Sequence, residues 1–252
     1  MSHTSDTIYD LLVIGGGVNG AAIARDASGR GLSVCLVERA DLASGTSSAS
    51  SKLIHGGLRY LEQYQFGMVR KALREREIIL KQTPHLTHPL AFILPHQPQL
   101  RPQWMIQAGL WLYDHLAKRN ALPASRRVSL HNTPYGAPLK PSYKVGFEYY
   151  DCFTDDARLV VSLALDAHQR GAHILTYHEV IGLKPQYKHW QAELKNHFNH
   201  QKQFINARVV VNATGPWNNH FFQNVQLPSP QDIVLVKGSH IVVPRLYAGT
   251  HA

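Results

Sequence analysis

The sequence predicts an α/β fold in two interleaved parts: a sheet of buried strands covered by helices, and a second region of α+β character. Three observations carry that expectation. Residues 9–38, "YDLLVIGGGVNGAAIARDASGRGLSVCLVE", read as strand, helix and strand around a glycine-rich turn. Helical runs and prolines then interrupt the pattern between 66 and 144. From about 145 strands and a helix resume, and some of them, ending in "VVVNATGPW" (209–217), return to the first sheet.

Each element has a local reason. "DLLVIG" is a short continuous apolar run, as a strand buried on both faces requires. Val18, Ala21, Ala22, Ala24 and Ala27 then give a helix that packs closely on the sheet, with Gly29 and Gly31 as stop signals before the second strand, "LSVCLVE". The glycines fall as G-x-G-x-x-G at Gly15, Gly17 and Gly20, and Glu38 closes the second strand. In such a unit the first glycine makes the turn, the second lets a pyrophosphate approach the backbone, and the third brings helix and strand together. The helix N-terminus adds partial positive charge. Glu38 suits a ribose and repels a 2′-phosphate, which argues against NADP. Between NAD and FAD this unit does not choose.

"FGMVRKALREREIILKQ" (66–82) and "WMIQAGLWLYDHLAKR" (104–119) are helical by composition and apolar spacing, separated by Pro95, Pro98 and Pro102. Residues 120–144 read as loop. "GFEYYD" is a strand, and "TDDARLVVSLALDAHQRGA" a helix with Thr154 as N-cap, Asp155 and Asp156 in its first turn and Gly171 at its end. "HILTYHEVIGLK", "KHWQAELK" and "QFINARVVVNATG" are three strand-like runs, the middle pair a hairpin. The expected division is 1–82 with about 150–225 for the nucleotide-binding domain, and about 83–149 with 226–252 for part of a substrate domain.

Composition bounds the function. With 44% hydrophobic and 17% charged residues the chain suits a folded globular protein. Its net charge of +9 and pI near 9.6 invite an anionic partner. The basic residues are scattered and no nucleic-acid motif stands out, so no nucleic acid is expected. No apolar run approaches bilayer length, and Asp6 and Asp10 without a basic segment argue against a signal peptide. Cys35 and Cys152 lie far apart, which fits buried free thiols in a reducing compartment, with no metal site.

The stretch "GTSSASSKLIHGGLRYLE" (45–62) clusters hydroxyls, Lys52, His55, two glycines and Arg59. Hydroxyls and backbone amides partner pyrophosphate and ribityl oxygens, Gly56 and Gly57 admit a flat ring, and Arg59 offers a fork of fixed charge for a phosphate. The competing readings are an ordinary flexible loop, and an Arg59–Glu62 ion pair one helical turn on.

"VVVNATGPW" resembles the second FAD contact of glutathione-reductase-like flavoproteins. Together with "SGTSSASSKLIHGGLRYLEQ", "LRPQWMIQAGLWLYDHL", "DARLV" and "LVKGSHIVVPR", in that order, the chain from about Tyr9 to Arg245 resembles the FAD-dependent glycerol-3-phosphate dehydrogenases. The resemblance implies a Rossmann-like, glutathione-reductase-like FAD-binding domain interleaved with an α+β substrate domain. It implies that Thr46, Ser47, Ser51, Lys52 and Leu53 lie along FAD, and that Asn19, Val180, Ala213, Thr214 and Gly215 join Gly15, Gly17, Gly20 and Glu38 in holding it. His55 and Arg59 would face the flavin, Arg59 gripping the phosphate of glycerol 3-phosphate. The implied reaction oxidises the C2 alcohol to dihydroxyacetone phosphate and passes electrons to a quinone. His55 is the candidate base, because an imidazole titrates near neutral pH.

Several alternatives stay open: a related FAD-dependent amine or hydroxy-acid oxidase, and a catalytically silent flavin-binding fragment. His240 and the other histidines read equally well as structural. Trp104, Trp111 and Tyr113 read first as core. Yet the basic, aromatic 99–119 region with Arg119 also suits an anionic membrane surface, giving a cytoplasmic protein peripheral on the inner face of the cytoplasmic membrane. The sequence is compatible with an oligomer. Chains of the resembled family are roughly twice this length, so the expectation is a substrate domain incomplete at its C-terminus, an open sheet edge, an uncovered cofactor groove and weak activity alone.

Overall fold

The computed structural model describes residues 4–97, 99, 101–118, 121–229, 231, 233–236, 238–245 and 247–252. Arg119 and Pro98, invoked above, lie outside these. The chain divides into two compact units, Met1–Ser50 with Asp156–Gly238, and Ser51–Asp155 with Ser239–Ala252.

The first unit opens with strand β1 (Thr4–Ile14), helix α1 (Val18–Gly29) and strand β2 (Val34–Val37). Residues Leu11 to Ile14 and all of β2 are buried, as continuous apolar strands covered on both faces must be. The second unit holds β3 (Leu53–Ile54), α2 (Phe66–Gln82), β4 (Thr87–Pro95), α3 (Gln103–His115), β5 (Arg126–Ser129) and β6 (Val145–Thr154). The chain then returns to the first unit with α4 (Asp156–Gln169), β7 (His173–Leu175), β8 (His178–Pro185), β9 (Trp190–Asn196), β10 (Lys202–Asn212) and α5 (Asn218–Asn224).

The first unit's sheet has the order β7-β2-β1-β10-β9-β8. Its first four strands are parallel, and β10, β9 and β8 form an antiparallel meander. One face buries Leu12, Cys35, Val37 and Leu194 with Phe221 of α5. The other buries Val13, Val34 and Leu36 against Ala24 and Ala27 of α1 and Ala167 of α4. This is the Rossmann-like α/β core. It brings the strand ends after Ile14, Val37 and Asn212 together, because those three strands lie side by side. The free thiols of Cys35 and Cys152 are buried, and burial pushes that of Cys35 up to about 12.

In the second unit β6 carries β4 on one side and β3 and β5 on the other. Helix α2 belongs here: Val69 and Leu73 bury against Tyr113 of α3. The unit boundaries therefore differ from the expected ones at 82, 150 and 225, falling at Ser50, Asp155 and Gly238.

Other expectations are corrected in detail. Thr154 ends β6, and its hydroxyl bonds that of Thr87 at 3.0 Å, so it is a strand residue and not the cap of α4. "HILTYHEVIGLK" is two strands, broken where Tyr177 takes φ +58. Strand β5 lies inside the expected loop. Trp104 and Trp111 are 68% and 60% exposed and are not core, whereas Tyr113 is buried. Among the described residues no helix is long and apolar enough to cross a membrane.

Candidate functional site

The first unit contains a cavity of about 490 Å³ at the ends of β1, β2 and β10. The glycine-rich turn forms its floor. Gly15 takes φ +114, and a Cβ there would meet the Ala213 carbonyl oxygen at 2.5 Å; a Cβ on Gly20 would stand 1.9 Å from the Gly15 carbonyl oxygen. Only bare backbone lets the turn, the helix and the β10 end approach this closely. Gly17 precedes α1, whose first turn carries no acidic side chain, so its N-terminal partial charge is left for an anion. The Ser47 hydroxyl accepts the Val18 N–H at 2.9 Å and covers Gly17.

Glu38 is held by two backbone donors, Gly16 N–H at 2.6 Å and Ala40 N–H at 2.8 Å. A carboxylate retains further lone pairs after two such bonds, and those can accept from ribose hydroxyls. Asn19, Thr46, Ser47, Val180, Ala213, Thr214 and Gly215 all line the same cavity. Val180 sits at a bulge of β8, where the register against β9 shifts between Val180 and Gly182. The turn after β10 is fixed by Asn212, whose Oδ1 accepts the Thr214 N–H at 3.0 Å and its hydroxyl at 2.7 Å. Gly20 is buried in α1 behind the cavity.

The second unit has its own cavity, of about 450 Å³. Leu53, His55 and Arg59 line it with Phe92, Tyr149 and Asp151. Gly57 takes φ +75 and starts the 3-10 turn Leu58–Gln63 that carries Arg59. His55 and Arg59 are exposed. Glu62 pairs with Arg101 at 3.0 Å, so the Arg59–Glu62 reading fails, and no carboxylate among the described residues pairs with Arg59. Tyr149 stacks on Phe92, and burial first, then the Asp151 charge, pushes its hydroxyl up to about 12. Ser51 and Lys52 line neither cavity; Lys52 takes φ +57, and its carbonyl accepts the Thr154 N–H at 2.9 Å. His240 is exposed and outside regular structure.

The structure adds residues that the sequence did not single out. Arg39 lies over the Trp217 ring at 5.2 Å in the wall of the first cavity, and that ring comes so near Gly45 that a Cβ there would stand 2.7 Å from it. Trp217 ends the quoted "VVVNATGPW", but only the fold brings it over Gly45. His178, His220 and Phe221 come from distant elements with no spacing signal. In the second cavity the same holds for Phe92, Tyr149 and Asp151.

A family model described as FAD dependent oxidoreductase matches residues 10–251. The chain belongs to this family. FAD is the family's cofactor, and the first cavity fits it: a Cβ-free cradle at a helix N-terminus for pyrophosphate, with Glu38 fixed beside it. The chain is 53% identical over 246 residues to a glycerol-3-phosphate dehydrogenase of Pseudomonas aeruginosa, covering 97% of this chain and 47% of that protein. It is 50% identical over 244 residues to a D-erythritol 1-phosphate dehydrogenase of Brucella abortus, covering 96% and 49%. A glycerol-3-phosphate dehydrogenase from Bacillus halodurans complexed with FAD superimposes with a TM-score of 0.66 at 31% identity, covering 88% of this chain and 37% of that one. The chain thus spans about half the length of the curated relatives it matches.

Proposed function

We propose that the protein holds FAD in the first cavity and oxidises a phosphorylated polyol, sn-glycerol 3-phosphate, to dihydroxyacetone phosphate. One observation carries the substrate class: Arg59, a planar guanidinium with no carboxylate partner among the described residues, lines a cavity beside His55. Such a fork suits a phosphate dianion. The two similar dehydrogenases named above share a polyol phosphate in their names, which supports the same class.

FAD, when bound, supplies the two-electron acceptor. Gly15, Gly17 and the first turn of α1 would hold its pyrophosphate, and Glu38 would accept from its ribose. An imidazole nitrogen of His55 would take the C2 hydroxyl proton, leaving the C2 hydrogen and its bonding electron pair as the two-electron equivalent for that acceptor. Arg59 holds the phosphate and so fixes which carbon reacts.

The electrons pass on to a quinone, and the cytoplasmic protein meets the inner face of the membrane through its exposed Trp104 and Trp111, aided by a net charge of +9. Co-sedimentation with anionic vesicles is expected at low salt and should weaken at high salt; no binding at low salt sinks this part. The substrate class is tested with a dye acceptor. Glycerol 3-phosphate and erythritol phosphate are expected to support turnover, and glycine, proline and lactate are not. Reduction by the amino acid or hydroxy acid alone would favour an amine or hydroxy-acid oxidase, in which Arg59 meets a carboxylate.

A further inference from the structure

Beneath the second cavity lies a chain of buried polar groups that the proposed reaction does not use. The Gly56 N–H donates to the Tyr113 hydroxyl at 2.8 Å and, at the longer distance of 3.4 Å, to Asp151 Oδ1. That hydroxyl donates to both Asp151 oxygens, at 2.9 and 3.1 Å. Asp151 in turn accepts from Arg76 Nη1 at 2.6 Å, and the same nitrogen donates to the Tyr150 carbonyl at 3.0 Å. The Asp151 and Arg76 side chains are each only 5% exposed. The Arg76 guanidinium also lies over the Tyr113 ring, 5.8 Å from its centre.

Burying a charged pair together with a phenol and a loop amide is costly unless partners hold it. Arg76 is held by Asp151 at 2.6 Å and has Glu77 at 3.5 Å, while its Nε makes no hydrogen bond among the described residues. Three elements contribute: Arg76 from α2, Tyr113 from α3 and Asp151 from β6. Their convergence is on one backbone amide, that of Gly56, which has no side chain because a Cβ would stand 2.4 Å from Leu73 Cδ2 and 2.6 Å from the Tyr113 oxygen. Gly56 sits between His55 and the left-handed Gly57 that starts the Arg59 turn. Asp151 itself reaches the cavity wall. Burial and the neighbouring Asp151 charge raise the Tyr113 hydroxyl above its ordinary range, so it remains a donor at any physiological pH.

We infer that Tyr113 and Asp151, braced by Arg76, are positioning residues: they clamp the Gly56 amide and thereby fix His55 and Arg59 on either side of it. The clamp is a buried charge-anchored strut under an otherwise glycine-soft loop. The inference rests on the proposed polyol-phosphate reading for what the loop is positioned to do, but not for the clamp itself.

The test is amide hydrogen exchange at Gly56, read with and without Tyr113→Phe, which removes one oxygen and keeps the ring. In the wild-type chain the Gly56 amide is expected to exchange slowly although it lies outside helix and strand. In Tyr113→Phe its protection is expected to fall at least tenfold, while Tyr187→Phe, at an exposed ring, changes nothing. Where turnover is measured, the KM for glycerol 3-phosphate is expected to rise about tenfold in Tyr113→Phe. A merely structural role would lower the active fraction, and with it kcat, at constant KM. Should Tyr113→Phe fail to fold, the exchange rate of the Gly56 amide in the wild-type chain decides alone. Fast exchange at Gly56 in the wild-type chain, or unchanged protection in a folded variant, overturns the clamp. Because exchange needs neither FAD nor turnover, failure of the proposed reaction would show separately, as wild-type protein that glycerol 3-phosphate does not reduce.

Discussion

On the proposed reading, Arg59 is the residue that selects the anion in the second cavity, whose wall it lines. A hydrogen bond to a charged group is worth about 1.5–3 kcal/mol, and about 1.4 kcal/mol is tenfold in binding. Arg59→Ala is therefore expected to raise the KM for glycerol 3-phosphate about ten- to hundredfold, with FAD binding unchanged because the first cavity contains no part of that turn. Arg59→Lys keeps the charge but loses the fork, and should recover only part of the loss. Steady-state kinetics with a dye acceptor reads both; an unchanged KM in Arg59→Ala would remove Arg59 from the substrate site. At this scale the sequence spoke clearly where a residue type is forced by geometry. Gly15 and Gly20 were legible because a fingerprint spacing reports a close approach, and the structure shows that approach at 2.5 and 1.9 Å for an added Cβ. His55 and Arg59 were singled out through a short, specific segment, and the structure places both in the wall of the second cavity. Tyr113 and Asp151 were not, because no local pattern reveals that residues on three elements will meet on one loop amide.

The sequence predicts helix α2 to its observed ends, Phe66–Gln82, since its apolar spacing and strong helix formers agree. Its allegiance was misjudged, because periodicity reports which face is buried and not against what. Strand β4 was missed for a related reason. Pro89 and Pro95 break its strand signal, yet it is the last strand on its side of the sheet. It pairs with β6 along its length and is bridged on the other edge only by Ala91 to His251 among the described residues, and such a position tolerates proline. Between α1 and α4, Asp166 accepts from Arg25 at 2.6 Å and Arg170 at 3.0 Å. The Arg25 hydrogen bond, then that of Arg170, hold its carboxyl below the usual carboxylate range. A depressed carboxyl adds stability above its unfolded value of about 3.9, and that stability disappears as pH falls through the lower folded value. Asp166→Asn is thus expected to be less stable at pH 7, by about 1 kcal/mol or less for such half-exposed pairs, with the difference vanishing in strong acid. Urea unfolding at both pH values checks the sign. A difference that grows in acid would contradict the pairing.

At the scale of the whole molecule, the chain builds one cavity that fits a dinucleotide and another lined by His55 and Arg59, each within its own compact unit. The α/β class and the returning strand were legible because parallel interior strands must be continuously apolar. The unit boundaries were less so, since crossings at Ser50, Asp155 and Gly238 carry no linker composition. The most direct measurement is the visible absorption spectrum of the purified protein, before and after anaerobic glycerol 3-phosphate. A flavin band that the substrate bleaches, and that glycine leaves intact, is the predicted result. No flavin band, or a band that glycine bleaches and glycerol 3-phosphate does not, would contradict the proposed chemistry.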